Sequence, residues 1–176
     1  MAAGWVLVLT GAMAAGKSTV AELLAARRPR SVHVRGDVFR RMVVNGRAEM
    51  TPDAPPEALA QLRLRYDLAV ATAEAYAAAG FDVVVQDVII GPELADFMAR
   101  ITVPDRYLVV LAPSVSALEE RERDRVKTGY TSFSPADLDH LLRQETPRIG
   151  YWLDSSALTP AETVDAILAN LPAAAV

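Results

Sequence analysis

The sequence predicts an α/β fold: a five-stranded parallel sheet with helices on both faces. Three observations predict it. Five short runs rich in Val, Leu and Ile recur along the 176 residues, helical patterns alternate with them, and a glycine- and alanine-rich turn joins the first run to the first helix. Parallel strands need crossover connections, and strands buried on both faces read as continuous apolar runs rather than as alternation.

Trp5 to Thr10 is such a run and marks the first strand, followed by a helix over Thr19 to Arg28 that stops before Pro29. Ser31 to Arg35 reads as the second strand. Asp37 opens a short helix predicted to end near Asn45-Gly46, where glycine suits a left-handed cap. Residues 46–56 carry three prolines and read as a loop. The alanine-rich stretch from Pro56 to about Ala79 reads as a long helix closed by Gly80. Phe81 to Asp87 is the third strand, Tyr107 to Leu111 the fourth and Ile149 to Leu153 the fifth. Ser134-Pro135-Ala136-Asp137 and Thr159-Pro160-Ala161-Glu162 both read as helix starts, with a hydroxyl cap, proline at the first position and an acid at the third. Trp5, Trp152 and His33 fall in these strands and are expected to pack there. With neither an internal repeat nor a low-complexity linker, residues 1–176 are expected to form one domain.

A composition of 52% hydrophobic and 23% charged residues with net charge −4 is that of a globular chain, without the basic face that nucleic acid or an anionic membrane would need. The absence of cysteine removes disulfides, thiol catalysis and thiolate metal sites, and two histidines are too few for a histidine-rich zinc centre. The first residues lack a basic leader, and no apolar stretch approaches the ~20 residues of a membrane span, so a soluble cytoplasmic location is expected.

Gly11-Ala12-Met13-Ala14-Ala15-Gly16-Lys17-Ser18 fits the pattern G-x-x-x-x-G-K-[ST] between a strand and a helix. Such a P-loop wraps its backbone N–H groups around phosphate oxygens at a helix N-terminus. Residues Gly11 to Thr19 are therefore expected to bind ATP, with Lys17 on the β- and γ-phosphates and the Ser18 hydroxyl on Mg²⁺. Only two of the eighteen basic residues are lysines, Lys17 and Lys127, which makes a chance lysine here rare. Asp87, at the carboxyl end of the third strand, stands where a carboxylate can hold Mg²⁺ through water. Asp37, after the second strand, can take the proton from an attacking hydroxyl, or simply cap its helix. Arg121 and Arg125 lie in a charged run that is expected to belong to a lid over about 121–134 and to neutralise the transferring phosphoryl; as a solvated helix face the run would be unremarkable. Arg40, Arg41, Arg47, Arg63 and Arg65 cluster in the segment expected to form the acceptor site, about 37–80, though each could be a solvated surface arginine; Arg40, Arg41 and Arg63, together with Asp87, are the candidates taken for it.

The phosphate loop, Asp37, Gln86 to Gly91, Arg121 to Arg125 and Trp152 to Ser156 together resemble the chloramphenicol phosphotransferase-like small-molecule kinases. Residues 38–80 depart from that likeness. The resemblance implies a P-loop kinase-type three-layer sandwich with strand order 2-3-1-4-5. It also implies ATP-dependent phosphorylation of a small-molecule hydroxyl with Asp37 as base, including antibiotic inactivation as an outlet. Nucleoside, nucleotide or sugar-acid kinases are the nearest rivals. A nucleotide-dependent regulatory ATPase is the alternative of another class, and the lack of an N-K-x-D motif weighs against a GTPase.

Overall fold

The computed structural model of the chain describes residues 4–123 and 133–176. Its centre is a parallel sheet of five strands, β1 (Val6–Gly11), β2 (Ser31–Arg35), β3 (Asp82–Gln86), β4 (Arg106–Leu111) and β5 (Tyr151–Leu153), in the order β2-β3-β1-β4-β5. The helices are α1 (Lys17–Ala26), α2 (Gly36–Met42), α3 (Pro56–Ala78), α4 (Glu93–Ala99), α5 (Val115–Arg123), α6 (Pro135–Glu145) and α7 (Pro160–Ala169).

Alternation along each strand divides the apolar runs between two cores. Val6, Val8, Val83, Val85, Leu108 and Val110 face α3 and α4, where Tyr66, Ala69, Ala73, Ala77 and Phe97 meet them. Leu7, Leu9, Val84, Val109 and Leu111 face the other way, against Val20, Leu24, Val164 and Ile167 of α1 and α7. Small side chains at Ala69, Ala73 and Ala77, four residues apart, form the stripe that lets α3 lie close to the sheet.

Both predicted capping boxes form. Ser134 Oγ accepts from Asp137 N at 3.1 Å while Asp137 Oδ2 accepts from Ser134 N at 2.9 Å, and Thr159 and Glu162 repeat the exchange. Two expectations need correction. α2 ends at Met42 with Val43 extended, so Gly46, although left-handed at φ 77°, caps no helix; two consecutive β-branched valines favour extended backbone there. β5 starts two residues late because Ile149 N closes a turn onto Pro147 O at 2.9 Å. Trp152 and Trp5 pack against the two cores as expected, each half-buried, with Arg148 and Arg28 over their rings at 3.9 and 5.5 Å from the centroids. His33 does pack as expected: its Nδ1 lies 2.8 Å from Glu22 Oε2, and burial lowers its pKa. Among the described residues no helix is long and apolar enough to cross a membrane.

Candidate active site

β1 ends in the phosphate loop. Ala14 (φ 62°) and Gly16 (φ 89°) both turn left-handed, which reverses the chain within five residues and delivers it into α1. For Ala14 that conformation costs on the order of 1 kcal/mol, held by surroundings in which Ala12 to Ala15 are buried. The α1 N-terminus has neither a capping side chain nor an acid in its first turn, so its positive end meets whatever occupies the loop. Lys17, 7% exposed, folds over the loop and donates to Ala12 O at 2.7 Å. Ser18 is exposed on the inner side, and its hydroxyl donates to Gln86 Oε1 at 3.2 Å.

The pairing register brings two more strand ends beside this loop. Arg35 of β2 pairs with Gln86 of β3, and Leu9 of β1 pairs with the same Gln86. The residues that follow, Gly36-Asp37 and Asp87-Val88, therefore emerge at the carboxyl edge next to the phosphate loop. Thr10 of β1 secures the second segment, accepting from Ile89 N at 2.9 Å and donating to Ile89 O at 2.7 Å; Tyr66 of α3 donates to Val88 O at 2.9 Å.

Asp37 lies in the first turn of α2 rather than at its cap, which is Arg35 and makes no side-chain capping bond. Its Oδ2 meets Arg41 Nε at 3.0 Å, with both side chains about half exposed. An exposed i,i+4 pair of this kind is worth only ~0.3–0.5 kcal/mol, so Asp37 can exchange it for another partner. Asp87, by contrast, is 1% exposed and held by the equally enclosed Arg65 in a two-pronged ion pair, Arg65 Nε to Asp87 Oδ2 at 2.7 Å and Nη2 to Oδ1, with Val88 N donating to Oδ1 at 2.7 Å. Burial pushes the Asp87 carboxyl upward, and Arg65, the Val88 N–H and Lys17 pull against it.

Gly36 makes this fit sterically feasible. A Cβ there would stand 1.8 Å from Asp87 Oδ2. Gly36→Ala is therefore expected to destabilise the protein by ~1–3 kcal/mol, the usual cost of overpacking, seen as a fall of ~2–4 °C in Tm per kcal/mol in a thermal melt.

These groups line one open cavity of about 860 Å³. Its floor is Met13 to Val20, with Gly11 and Ala12 buried beneath. One flank carries Asp37, Arg40, Arg41, Glu49, Arg65 and Asp87, and the other Arg121, Ser155, Leu158 and Thr163. Arg121, at the end of α5, donates to Ser155 O at 2.7 Å and so reaches the segment after β5. Arg125 and most of the expected lid lie outside the described residues. One acceptor candidate is corrected: Arg63 is exposed and absent from the cavity wall, and Arg65 stands there instead. Arg65 precedes Ala69 and Ala73 on the sheet-facing stripe of α3, a four-residue spacing that separates it from Arg63 in the sequence itself. Sequence reading assigns no role to Gln86 as a partner of Ser18; its signal is a polar residue directly after the apolar run Val83 to Val85.

Among the described residues no cluster of three or more His, Cys, Asp or Glu could hold a metal ion. The donor set nonetheless suits a hard cation that keeps most of its water. Gln86 takes the Ser18 hydroxyl hydrogen, which leaves the Ser18 oxygen lone pairs toward the cavity. Asp87, with both oxygens already bonded to Arg65, could reach such an ion only through water.

A family model described as an AAA domain matches residues 6–147. No curated protein matches the chain in sequence. Among solved structures, a sugar kinase from Janibacter sp. HTCC2649 superposes with TM-score 0.71 at 18% identity, over 97% of this chain and 95% of that one. The APS kinase of Mycobacterium tuberculosis gives 0.68 at 17% identity, over 98% and 99%. The tunicamycin resistance protein of Deinococcus radiodurans gives 0.67 at 15% identity, over 98% of both chains. At these identities the likeness is one of fold: a P-loop kinase fold with strand order 2-3-1-4-5.

Proposed function

The chain belongs to the AAA domain family, and from that membership and its cavity we propose that it is an ATP-dependent O-phosphotransferase acting on a small-molecule hydroxyl. The observation that carries this reading is that Asp37 and the phosphate loop line the same open cavity. A loop that only bound and hydrolysed nucleotide would have no need of the charged side chains of α2 and α3 that line the cavity beside it.

In this mechanism the N–H groups of residues 11–19 and the Lys17 ammonium grip the β- and γ-phosphates. Ser18 would hold Mg²⁺, with Asp87 contributing through water; the ion would supply charge neutralisation on the phosphate oxygens. Asp37 leaves Arg41, accepts a hydrogen bond from the acceptor hydroxyl and takes its proton as the oxygen attacks. The new bond joins the acceptor oxygen to the γ-phosphorus, the bond from that phosphorus to the bridging oxygen breaks, and ADP leaves with the electron pair. Arg121, and Arg125 with it, would offset charge on the phosphoryl in transit.

The test is mass spectrometry of hydroxylated small molecules incubated with Mg·ATP and the protein. A gain of one phosphoryl group on a panel member supports the reading. ATP turnover that no acceptor stimulates, and that a protein partner alters, would favour the regulatory ATPase instead. Antibiotic inactivation is the finer version of the proposal, supported by the resemblance to chloramphenicol phosphotransferase-like kinases and by the fold shared with a tunicamycin resistance protein. Amphenicols and nucleoside antibiotics therefore belong in the panel beside sugars and sugar acids.

Gln86 supports Ser18 from behind, as outer partners of a metal ligand do. Gln86→Leu is expected to raise the Mg²⁺ concentration for half-maximal ATP turnover by about tenfold, with most of the rate restored at saturating Mg²⁺. An unchanged Mg²⁺ titration would remove Gln86 from this role.

A further inference from the structure

The acceptor flank of the cavity contains three arginines, and each is matched by a carboxylate. Arg40 pairs with Glu49, Arg41 with Asp37 and Arg65 with Asp87. An anionic acceptor entering here would meet three carboxylates along with the three guanidiniums, and would have to displace one to gain a charged contact.

A second cavity of about 200 Å³ opens from the same flank, sharing Arg40 and Arg65 with the first. Apart from those arginines and Gln61 its walls are apolar, built from α2, the following loop and α3. Met42 and Leu64 on its rim are 65% and 54% exposed, which is costly unless something apolar covers them. An apolar cavity of roughly 150 Å³ admits benzene, so this one can take a ring or branched alkyl arm.

We propose that this second cavity is the specificity pocket of the acceptor site, and that the acceptor is a neutral alcohol carrying an apolar arm of about benzene size. The inference rests on the phosphotransferase reading, because the hydroxyl is taken to sit at Asp37 in the adjoining compartment. Charge balance decides against an anion and the neighbouring apolar walls decide what replaces it. Continuity through Arg40 and Arg65 makes the two compartments parts of one site.

Binding of phenylbutanol and of hydroxyvalerate, equal in reach but differing in phenyl against carboxylate, is to be measured by calorimetry with Mg²⁺ and a non-hydrolysable ATP analogue. Phosphoryl transfer to each is followed in parallel with ATP. The expected result is at least tenfold tighter binding of phenylbutanol, reduced fivefold or more by Leu64→Glu and by Met42→Glu with nucleotide affinity unchanged. Both substitutions are on exposed positions, so the variants are expected to fold, with circular dichroism as the check. Equal or tighter binding of hydroxyvalerate, no binding of either alcohol, or variants that bind like the parent protein would each overturn the pocket. So would a concentration-dependent dimer in light scattering that Leu64→Glu dissociates, since a second copy would then cover this face. Phenylbutanol bound in the expected order but never phosphorylated would sink the phosphotransferase reading while leaving the pocket assignment standing. Transfer to hydroxyvalerate in preference would do the reverse.

Discussion

Asp37→Asn is expected to lower phosphoryl transfer by about 10²–10⁴-fold while leaving Mg·ATP affinity nearly unchanged. The amide keeps the size and most of the hydrogen-bonding shape of the carboxylate but cannot take a proton at neutral pH. In the proposed mechanism nucleotide binding falls to residues 11–19 on β1 and α1, whereas Asp37 belongs to a different element, α2, that lines the same cavity. Among the described residues the partner lost is Arg41, in a half-exposed pair, so the melting temperature should move little. Single-turnover transfer to an accepted substrate, with calorimetric ATP binding as control, makes the comparison. Transfer at the parental rate would remove Asp37 as the base. A parallel loss of ATP affinity would instead make it part of the nucleotide site.

Arg65→Ala is expected to cost ~3–5 kcal/mol of stability, because it strands a carboxylate that is 1% exposed. For a chain of this size that is a fall in Tm of roughly 6–20 °C. Gly36 packs directly against Asp87, where even a Cβ would stand 1.8 Å from Oδ2, so the stranded carboxylate has little room to reorient. The deficit should depend on pH in a defined sense. Without Arg65 the folded-state pKa of Asp87 rises well above its unfolded value of about 3.9, so protonation favours the folded form. The loss should therefore be smallest near or below pH 4 and grow as pH rises through the folded-state pKa. Replacing both partners, Arg65→Met with Asp87→Leu, should recover most of the stability, since no buried charge is left unpaired. A single variant as stable as the parent at pH 7 would mean that water or another residue satisfies Asp87.

The two buried faces of the sheet were legible because β1, β3 and β4 are apolar at consecutive positions, which only a strand covered on both sides requires. The capped starts of α6 and α7 were legible for a local reason as well: a capping box closes within four residues and needs nothing from the rest of the chain. α4 was passed over, although Leu94, Phe97 and Met98 after Pro92 carry helical spacing, because seven residues give too few turns to stand out. The end of α2 was misjudged at Gly46, where a glycine signal outweighed the two valines before it.

The sequence by itself determined the phosphate loop, Asp37 beyond the second strand, Asp87 beyond the third and the alternation that makes the sheet parallel. Each depends on residues close together in the chain, where backbone geometry and side-chain period act directly. Only the tertiary structure decided the pairings across the cavity. Arg65 comes from α3 and Asp87 from the segment that follows β3, twenty-two residues apart, and Ser18 and Gln86 are separated by sixty-eight. Arg63 and Arg65 are alike as residues, and what distinguishes them is which side of α3 turns toward the sheet. The charge balance of the cavity wall around Asp37, Arg40 and Arg65 and the apolar pocket beside it follow from that packing, because a side chain's electrostatic role is set by what the fold brings within a few ångströms of it.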